Sequence, residues 1–416
     1  MESLQSLIPE KPKPQHLLVD KAFSRERKLP FPSLVSSLLS FTATSKHHGL
    51  DVKIREYLRS AFRNGCNTQS PSTLDKSALS RSRSKVSWLA FESIFQSARD
   101  LALESMGDTN HFLWKEKSIY AMDGSKFTLP ASSELRAEFD PNSGLHVLGK
   151  GHYPQALVMT ITDVLRQMPI ARKIAPCDRS ERHEAMDLIE LVPENGVILG
   201  DRGFPGHEFF SFLMESYKGH FVIRCPVKSS FKEIERMKKS DCTLTIKGLV
   251  LRAIRLVSPD GTESVLFTNL MDKKKYSAAS IRNLYYKRWQ IETHYRDEKC
   301  SMDLEHFHSK SSNGIKQELF ASLIMMTMAR LLMHSQTTDI ERAPQYKYAI
   351  CALAKEAYLL VANVPKVAAR LFKDLVEDIR RVIYYKPRHK RKAYPRISKT
   401  AQNKWREKRT RVVHVP

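Results

Sequence analysis

Three carboxylates in this sequence stand where phosphoryl chemistry would want them. Asp123 in AMDGS and Asp201 in LGDRGF each close a short apolar run, at a strand-to-turn junction. Glu292 lies far downstream in YYKRWQIETHYRDEK, residues 285–299. Carboxylates that converge at a sheet edge can hold two divalent ions, one activating the attacking oxygen and the other stabilising the leaving oxygen. Hard oxygen ligands suit Mg²⁺, which keeps several waters and takes few protein carboxylates. Taken singly, each aspartate is equally what a turn uses, because D-G is a common turn and an Asp before Arg-Gly can bond its own backbone.

The third carboxylate comes with company. At a helical step of about 100°, Tyr285, Arg288, Glu292 and Lys299 fall within roughly 60° of one another, and Leu284, Ile291 and Tyr295 lie beside that stripe. Surface helices normally keep their charges opposite the apolar face. Glu292 turned inward as a metal ligand would explain one of these charges. Arg288 and Lys299 could then hold phosphates beside the metals, and Tyr285 could donate a hydrogen bond or stack on sugar or base. An internal Arg288–Glu292 pair at i,i+4 is the plainer alternative, but it leaves Lys299 without a role. Glu298 is a rival carboxylate, about 100° off the stripe.

The elements that must position these residues follow from periodicity. Up to about residue 112 the apolar spacing is helical, and SPSTLDKSALSRSRSKVSWLAFESIFQ (70–96) reads as a capped helix, a basic break and a second helix. Such a pair could be a DNA-binding helix–turn–helix or an ordinary helical hairpin. From Ser118 the texture changes to short strands. SIYAMDGSKFTLP predicts a strand, a D-G-S turn and a second strand, and ALVMTITDVLRQMPIARKIAP predicts a hairpin. Helix ERHEAMDLIELV behind Ser180, strand GVILG, helix HEFFSFLMESY and strand HFVIRCP then complete a mixed α/β sheet. Residues 227–276 alternate around a P-D-G-T turn and predict a β insertion. Ser277 starts the helix of the polar stripe, and the stretches 315–333 and 346–376 read as helical and apolar.

Composition narrows the partners. The 416 residues carry 68 Lys+Arg against 45 Asp+Glu, a formal charge of +23, which argues for a polyanion such as nucleic acid. Residues 380–416 hold fourteen Lys/Arg and one acidic residue, a tail attracted to phosphate backbones. Six cysteines without a C-x-x-C pair suit thiols in a cytoplasm. The N-terminus lacks a signal-peptide pattern, and the apolar stretch 319–333 is too short to span a bilayer, so an intracellular protein without a membrane partner is expected. HEAMD (183–187) lacks a second zinc-ligating histidine, Cys300 with His306 and His308 lacks a fourth ligand, and no phosphate-loop or dinucleotide motif indicates a nucleotide cofactor.

Tyr285, Arg288, Glu292 and Lys299 have the spacing Y-x2-R-x3-E-x6-K, which resembles the YREK motif of DDE transposases of the insertion-sequence-4 family. AMDGSKFTLP and VILGDRGFPG resemble that family's two aspartate boxes, and the likeness extends over roughly residues 70–400. The resemblance implies an α/β fold with an RNase H-like catalytic core. The expected division is a helical DNA-binding region (1–112), core (113–226), β insertion (227–276), core with the YREK helix (277–335), helical region (336–379) and basic tail (380–416). It also implies a Mg²⁺-dependent cut-and-paste enzyme of the bacterial cytoplasm and nucleoid, with two ions, Mn²⁺ able to substitute, and Asp123, Asp201 and Glu292 as catalytic metal ligands. DNA would be the partner, as terminal inverted repeats and target, held by a homodimer in a paired-end complex. Tyr285, Arg288 and Lys299 would bind DNA and grip the strand of a hairpin intermediate. Some relatives stack a flipped base on a tryptophan of the β insertion, but here 227–278 has none, which leaves Phe231, Phe267 and Tyr276 as substitutes. The rival readings are a metal-dependent nuclease that cuts without joining and a catalytically retired DNA-binding protein.

Overall fold

The structure is a computed structural model that describes residues 2–25, 29–43, 49–66, 74–142, 153–258, 261–334, 342–362 and 365–385. The tail from residue 386 onward and the P-D half of the P-D-G-T turn lie outside the described residues.

Helices come first: α1 (Glu2–Gln5), α2 (Phe31–Phe41), α3 (Leu50–Arg63), α4 (Lys76–Arg83) and α5 (Leu89–Met106). Asp75 caps α4, accepting from the Ala78 N–H at 2.7 Å, and Gly107, with φ +61°, ends α5. The alternating part follows as β1 (Ile119–Thr128), α6 (Ser133–Phe139), β2 (Gln155–Asp163), β3 (Met168–Pro176), α7 (Glu181–Ile189), β4 (Val197–Gly200), α8 (His207–Glu215) and β5 (His220–Pro226). Then come β6 (Asp241–Ile246), β7 (Leu249–Val257) and β8 (Glu263–Thr268). The remaining elements are α9 (Ala278–Tyr286), α10 (Gln290–Arg296), α11 (Ser312–His334), β9 (Arg342–Pro344), α12 (Tyr346–Lys355), α13 (Pro365–Arg381) and β10 (Ile383–Tyr385).

β1 to β8 form one eight-stranded mixed sheet in the order β3-β2-β1-β4-β5-β8-β7-β6, so the fold is mixed α/β. β1, β2 and β3 are antiparallel neighbours, whereas β4 and β5 run parallel to β1 through the helical crossovers α7 and α8. Helices cover both faces, which is why β2 reads ALVMTIT and is buried almost throughout. One face packs on α7 and α8, the other on α9, α10 and the start of α11. The rest of α11 continues into a third core with α2, α3, α5 and α12. Among the described residues no helix is long and apolar enough to cross a membrane.

Several expectations change on folding. The D-G-S stretch is not a turn: β1 runs unbroken through it, with Asp123, Gly124 and Ser125 opposite Thr160, Met159 and Val158 of β2. Gly124 serves close approach instead, since a Cβ there would lie 2.7 Å from the Glu181 carboxyl carbon and the Met159 sulfur. The strands of 227–276 join the main sheet, where β8 pairs with β5 and β7 and β6 follow it. α4 and α5 follow one another across residues 84–88, and Arg83 at the end of α4 is buried, 2.8 Å from Glu318 of α11. α5 lays its apolar face along α11, with Phe95 against Phe320, and so belongs to a core on that side. The helix expected after Ser277 is segmented into α9, a 3₁₀ turn at Lys287–Trp289, α10 and a π turn at Asp297–Ser301. The apolar stretch 346–376 is likewise divided, by a 3₁₀ turn at Ala357–Val361 between α12 and α13.

Candidate active site

β1 and β4 decide where the two aspartates meet. Their parallel register pairs Tyr120 with Ile198 and Ala121 with Leu199, and continuing it past Gly200 brings Asp201 level with Asp123. Asp201 leaves the strand in a tight turn whose Gly203 N–H donates to its Oδ1 at 2.7 Å, so the residue bonds its own backbone as an Asp-Arg-Gly turn would. Asp123 stays within β1, where it is largely desolvated. Burial first, then the charges of Asp201 and Glu181, push its carboxyl up to about 7, against the pull of Arg288.

α10 supplies the third acid from the opposite face. Arg288 Nη2 lies 2.7 Å from Glu292 Oε1, with side-chain exposures of 12% and 34%. Burial opposes the Arg288 charge, but Tyr285, Glu292 and Asp123 outweigh it and raise its pKa. Tyr285 is buried beside Arg288, and its hydroxyl is pushed above the usual tyrosine range by desolvation. Arg288 therefore feels the charge of Asp123 and holds Glu292, with Tyr285 buried beside it. Lys299 sits further along β1, its ammonium bonded to the Lys126 carbonyl and 4.4 Å from the centre of the Phe127 ring.

Glu181 is the residue that sequence reasoning missed. It opens α7, the crossover from β3 to β4, and lies against Gly124; burial and Asp201 raise its pKa. Its only signal in sequence was being an acidic first-turn residue in the crossover that must return to the aspartate edge. Glu298, the rival carboxylate, is excluded from the site by complete burial in a pair with Arg172. Phe231, Phe267 and Tyr276 are all buried, so none offers a free ring face to a base; Tyr286 and Trp289, exposed by 47% and 46%, flank Arg288 instead. His306 pairs with Asp303, and His308 lies between Lys53 and Glu318, so neither joins Cys300 in a metal cluster.

Carboxylate oxygens are a donor set for a hard divalent cation, and Asp123, its carboxyl raised by burial and by the Asp201 charge, pairs with Asp201 as such donors. Among the described residues no three His, Cys, Asp or Glu side chains stand close enough to hold one ion, and Glu292 is engaged by Arg288.

Comparison with known proteins completes the site. The family profile described as transposase DDE domain matches residues 114–328. Transposase InsG for insertion sequence element IS4 of Escherichia coli is 24% identical over 241 residues, 54% of each chain. A putative transposase for insertion sequence element IS4SA of Synechocystis is 28% identical over 151 residues, covering 35% of this chain and 44% of that one. The chain thus spans about half the length of the curated relatives it matches. A piggyBac transposase synaptic complex with hairpin DNA superposes over 93% of this chain and 82% of that one, at 11% identity and a TM-score of 0.46, too distant to bear on the chemistry. The matched span covers more than half of the sequence and takes in all three acids, and on that ground the chain belongs to the transposase DDE domain family.

Proposed function

We propose that this chain is a DNA transposase that cleaves the ends of an insertion sequence and joins them to target DNA. The single observation that carries the reading is the β1–β4 pairing, whose register, carried past Gly200, levels Asp123 with Asp201. The order β3-β2-β1-β4-β5, antiparallel then parallel, supports an RNase H-like core, with β6, β7 and β8 in the position of the β insertion. Asp123, Asp201 and Glu292 would hold two Mg²⁺ ions, which when bound supply Lewis-acid stabilisation of the attacking and leaving oxygens. Mn²⁺ would substitute, being similarly oxygen-seeking.

The chain's own residues then do the following. Asp123 gives up its proton at the pH where ions bind. Arg288 exchanges Glu292 for a phosphate oxygen, a bidentate partner suited to guanidinium. Water attacks the phosphodiester at the element's end and the 3′-hydroxyl leaves; that hydroxyl loses its proton and attacks a phosphodiester of the opposite strand, whose P–O bond to the flanking DNA breaks and releases the flank's 3′-oxygen, which takes up a proton. Tyr285 and Lys299 would hold the DNA strand during the second step, which would form a hairpin. The partners would be terminal inverted repeats and target DNA, held by a homodimer in a paired-end complex in the bacterial cytoplasm and nucleoid. The helical region 1–112 and the tail 380–416 would add DNA contacts.

The test is excision in vitro of the gene's own flanking DNA from a plasmid with Mg²⁺, comparing wild type with Glu292→Ala. Excision by the wild type alone is expected, with the variant down at least about a thousandfold, about 4 kcal/mol of barrier. Equal activity removes Glu292 from the mechanism. Tight binding to those ends without cleavage by either protein would favour a DNA-binding role, and cleavage without joining a nuclease.

A further inference from the structure

We propose that Tyr295 and the buried Arg172–Glu298 pair are positioning residues that fix Glu292 relative to Asp123. The inference rests on the reading of those two acids as metal ligands.

It starts from one row of the sheet. Thr160 in β2 is the register partner of Asp123 in β1 and of Arg172 in β3, so the three residues lie in a line across neighbouring strands. Strands are spaced about 4.8 Å apart and do not slide without breaking their ladders, so this row is a rigid ruler. α10 and its π turn are fastened to the ruler at both ends. At the Asp123 end, Tyr295 Oη lies 2.7 Å from the Asp123 carbonyl oxygen and 2.8 Å from that of Val158, and its proton is donated to one or the other. At the other end, Arg172 donates from Nη1 to Glu298 Oε1 at 2.8 Å and from Nη2 to Oε2 at 2.7 Å, a two-point grip on the π turn. Arg172 is itself held by Thr160 Oγ1 at 3.2 Å and by the Leu319 carbonyl at 2.9 Å. Ser322 donates to Glu298 at 2.8 Å. The pair and Tyr295 are buried, so none of them can touch DNA or solvent.

Glu292 lies one helical turn before Tyr295 on the same short helix. The fixed points on α10 therefore set how far its carboxylate stands from Asp123. Stability alone does not account for the pair, because well-packed apolar residues usually serve as well as a buried ion pair. What the forked geometry supplies is a distance and an angle. The π turn at Asp297–Ser301 agrees with this: it reseats the end of the helix so that Glu298 faces Arg172 instead of following the α-helical path.

Two variants test it: Tyr295→Phe, which removes one hydroxyl, and the double variant Arg172→Met with Glu298→Leu, which replaces the pair by apolar groups. Each is measured by thermal unfolding, by Mn²⁺ titration of the protein without DNA, and by single-turnover cleavage of end DNA. The expected result is an unfolding midpoint near wild type and unchanged half-saturation by DNA. Mn²⁺ half-saturation should rise about fivefold and the cleavage rate constant fall about tenfold, as for a site loosened by a fraction of an ångström. Wild-type Mn²⁺ affinity and cleavage in both variants would overturn the proposal. So would losses that merely track the folded fraction. A wild type that binds Mn²⁺ but cleaves no DNA would remove the transposase reading, while the Mn²⁺ titrations of the variants would still decide the positioning role. A wild type that binds no Mn²⁺ overturns both.

Discussion

Two ion pairs on one helical segment have the same partners and the same separation and do opposite things. Arg288–Glu292 and Arg172–Glu298 are each guanidinium with carboxylate at 2.7 Å. The first is partly exposed, at 12% and 34%, and its Arg288 feels the charge of Asp123. The second has no exposure at either side chain. Water can replace the partner of an exposed charge, so the Arg288–Glu292 contact can be exchanged for another partner, which the proposed function takes to be a phosphate and a metal. Nothing replaces the partner of a fully buried charge, so Arg172–Glu298 is fixed. Burial, and not chemical identity, separates the two pairs.

The strongest way to break that comparison is to truncate the buried pair. Glu298→Ala leaves Arg172 buried and uncompensated, and should cost about 3–5 kcal/mol in chemical denaturation. A loss below about 1 kcal/mol would mean that water enters the pocket and the two pairs are alike. Next in size, Arg288→Ala and Lys299→Ala should slow strand joining by about tenfold or more beyond any effect on the first nick, about 1.4 kcal/mol of barrier. Equal effects on both steps, resolved on a sequencing gel, would deny these cations a separate part in the second attack.

A pH profile sharpens the contrast at the metal side. The Asp123 carboxyl, raised from the ordinary 3.8 to about 7, is preferentially protonated in the folded state. Its contribution to stability is full below about pH 4 and is lost as pH rises through 7. Asp123→Asn should therefore be more stable than wild type at pH 8 by about 1–2 kcal/mol, and the difference should vanish near pH 4. Unfolding midpoints of both proteins across that range check the sign. The smallest effect closes the series: Glu292→Ala should alter stability by no more than about 0.5 kcal/mol, as for an i,i+4 pair in contact with water.

The strip of sequence around each acid was informative for a local reason. Apolar runs of five to nine residues, Ser180 and Ser277 before helices, and the three- and four-residue spacing of Tyr285, Arg288 and Glu292 are all properties of neighbours in the chain. The two crossover helices, the hairpin of β2 and β3 and the i,i+4 contact of Arg288 with Glu292 could be read from them. Where the reading failed, a distant neighbour was responsible. Asp-Gly signals a turn locally, but pairing to β2 holds Gly124 in a strand and the Glu181 side chain needs its missing Cβ. A regular helical wheel carried Lys299 on the stripe, whereas Arg172 of β3 captures Glu298 and the helix yields a 3₁₀ turn and a π turn.

Sequence by itself determined which residues could do the chemistry, since residue type and short-range spacing are written in the chain. Tertiary structure alone decided which carboxylate stays in reach of solvent and which is locked in a buried pair. Glu292 and Glu298 are six positions apart on one segment, and only the partners packed against them, solvent and Arg288 for one, Arg172 and Ser322 for the other, distinguish the two. The free energy of a charge is set by what surrounds it, and surroundings are assembled from strands that the sequence keeps more than a hundred residues away.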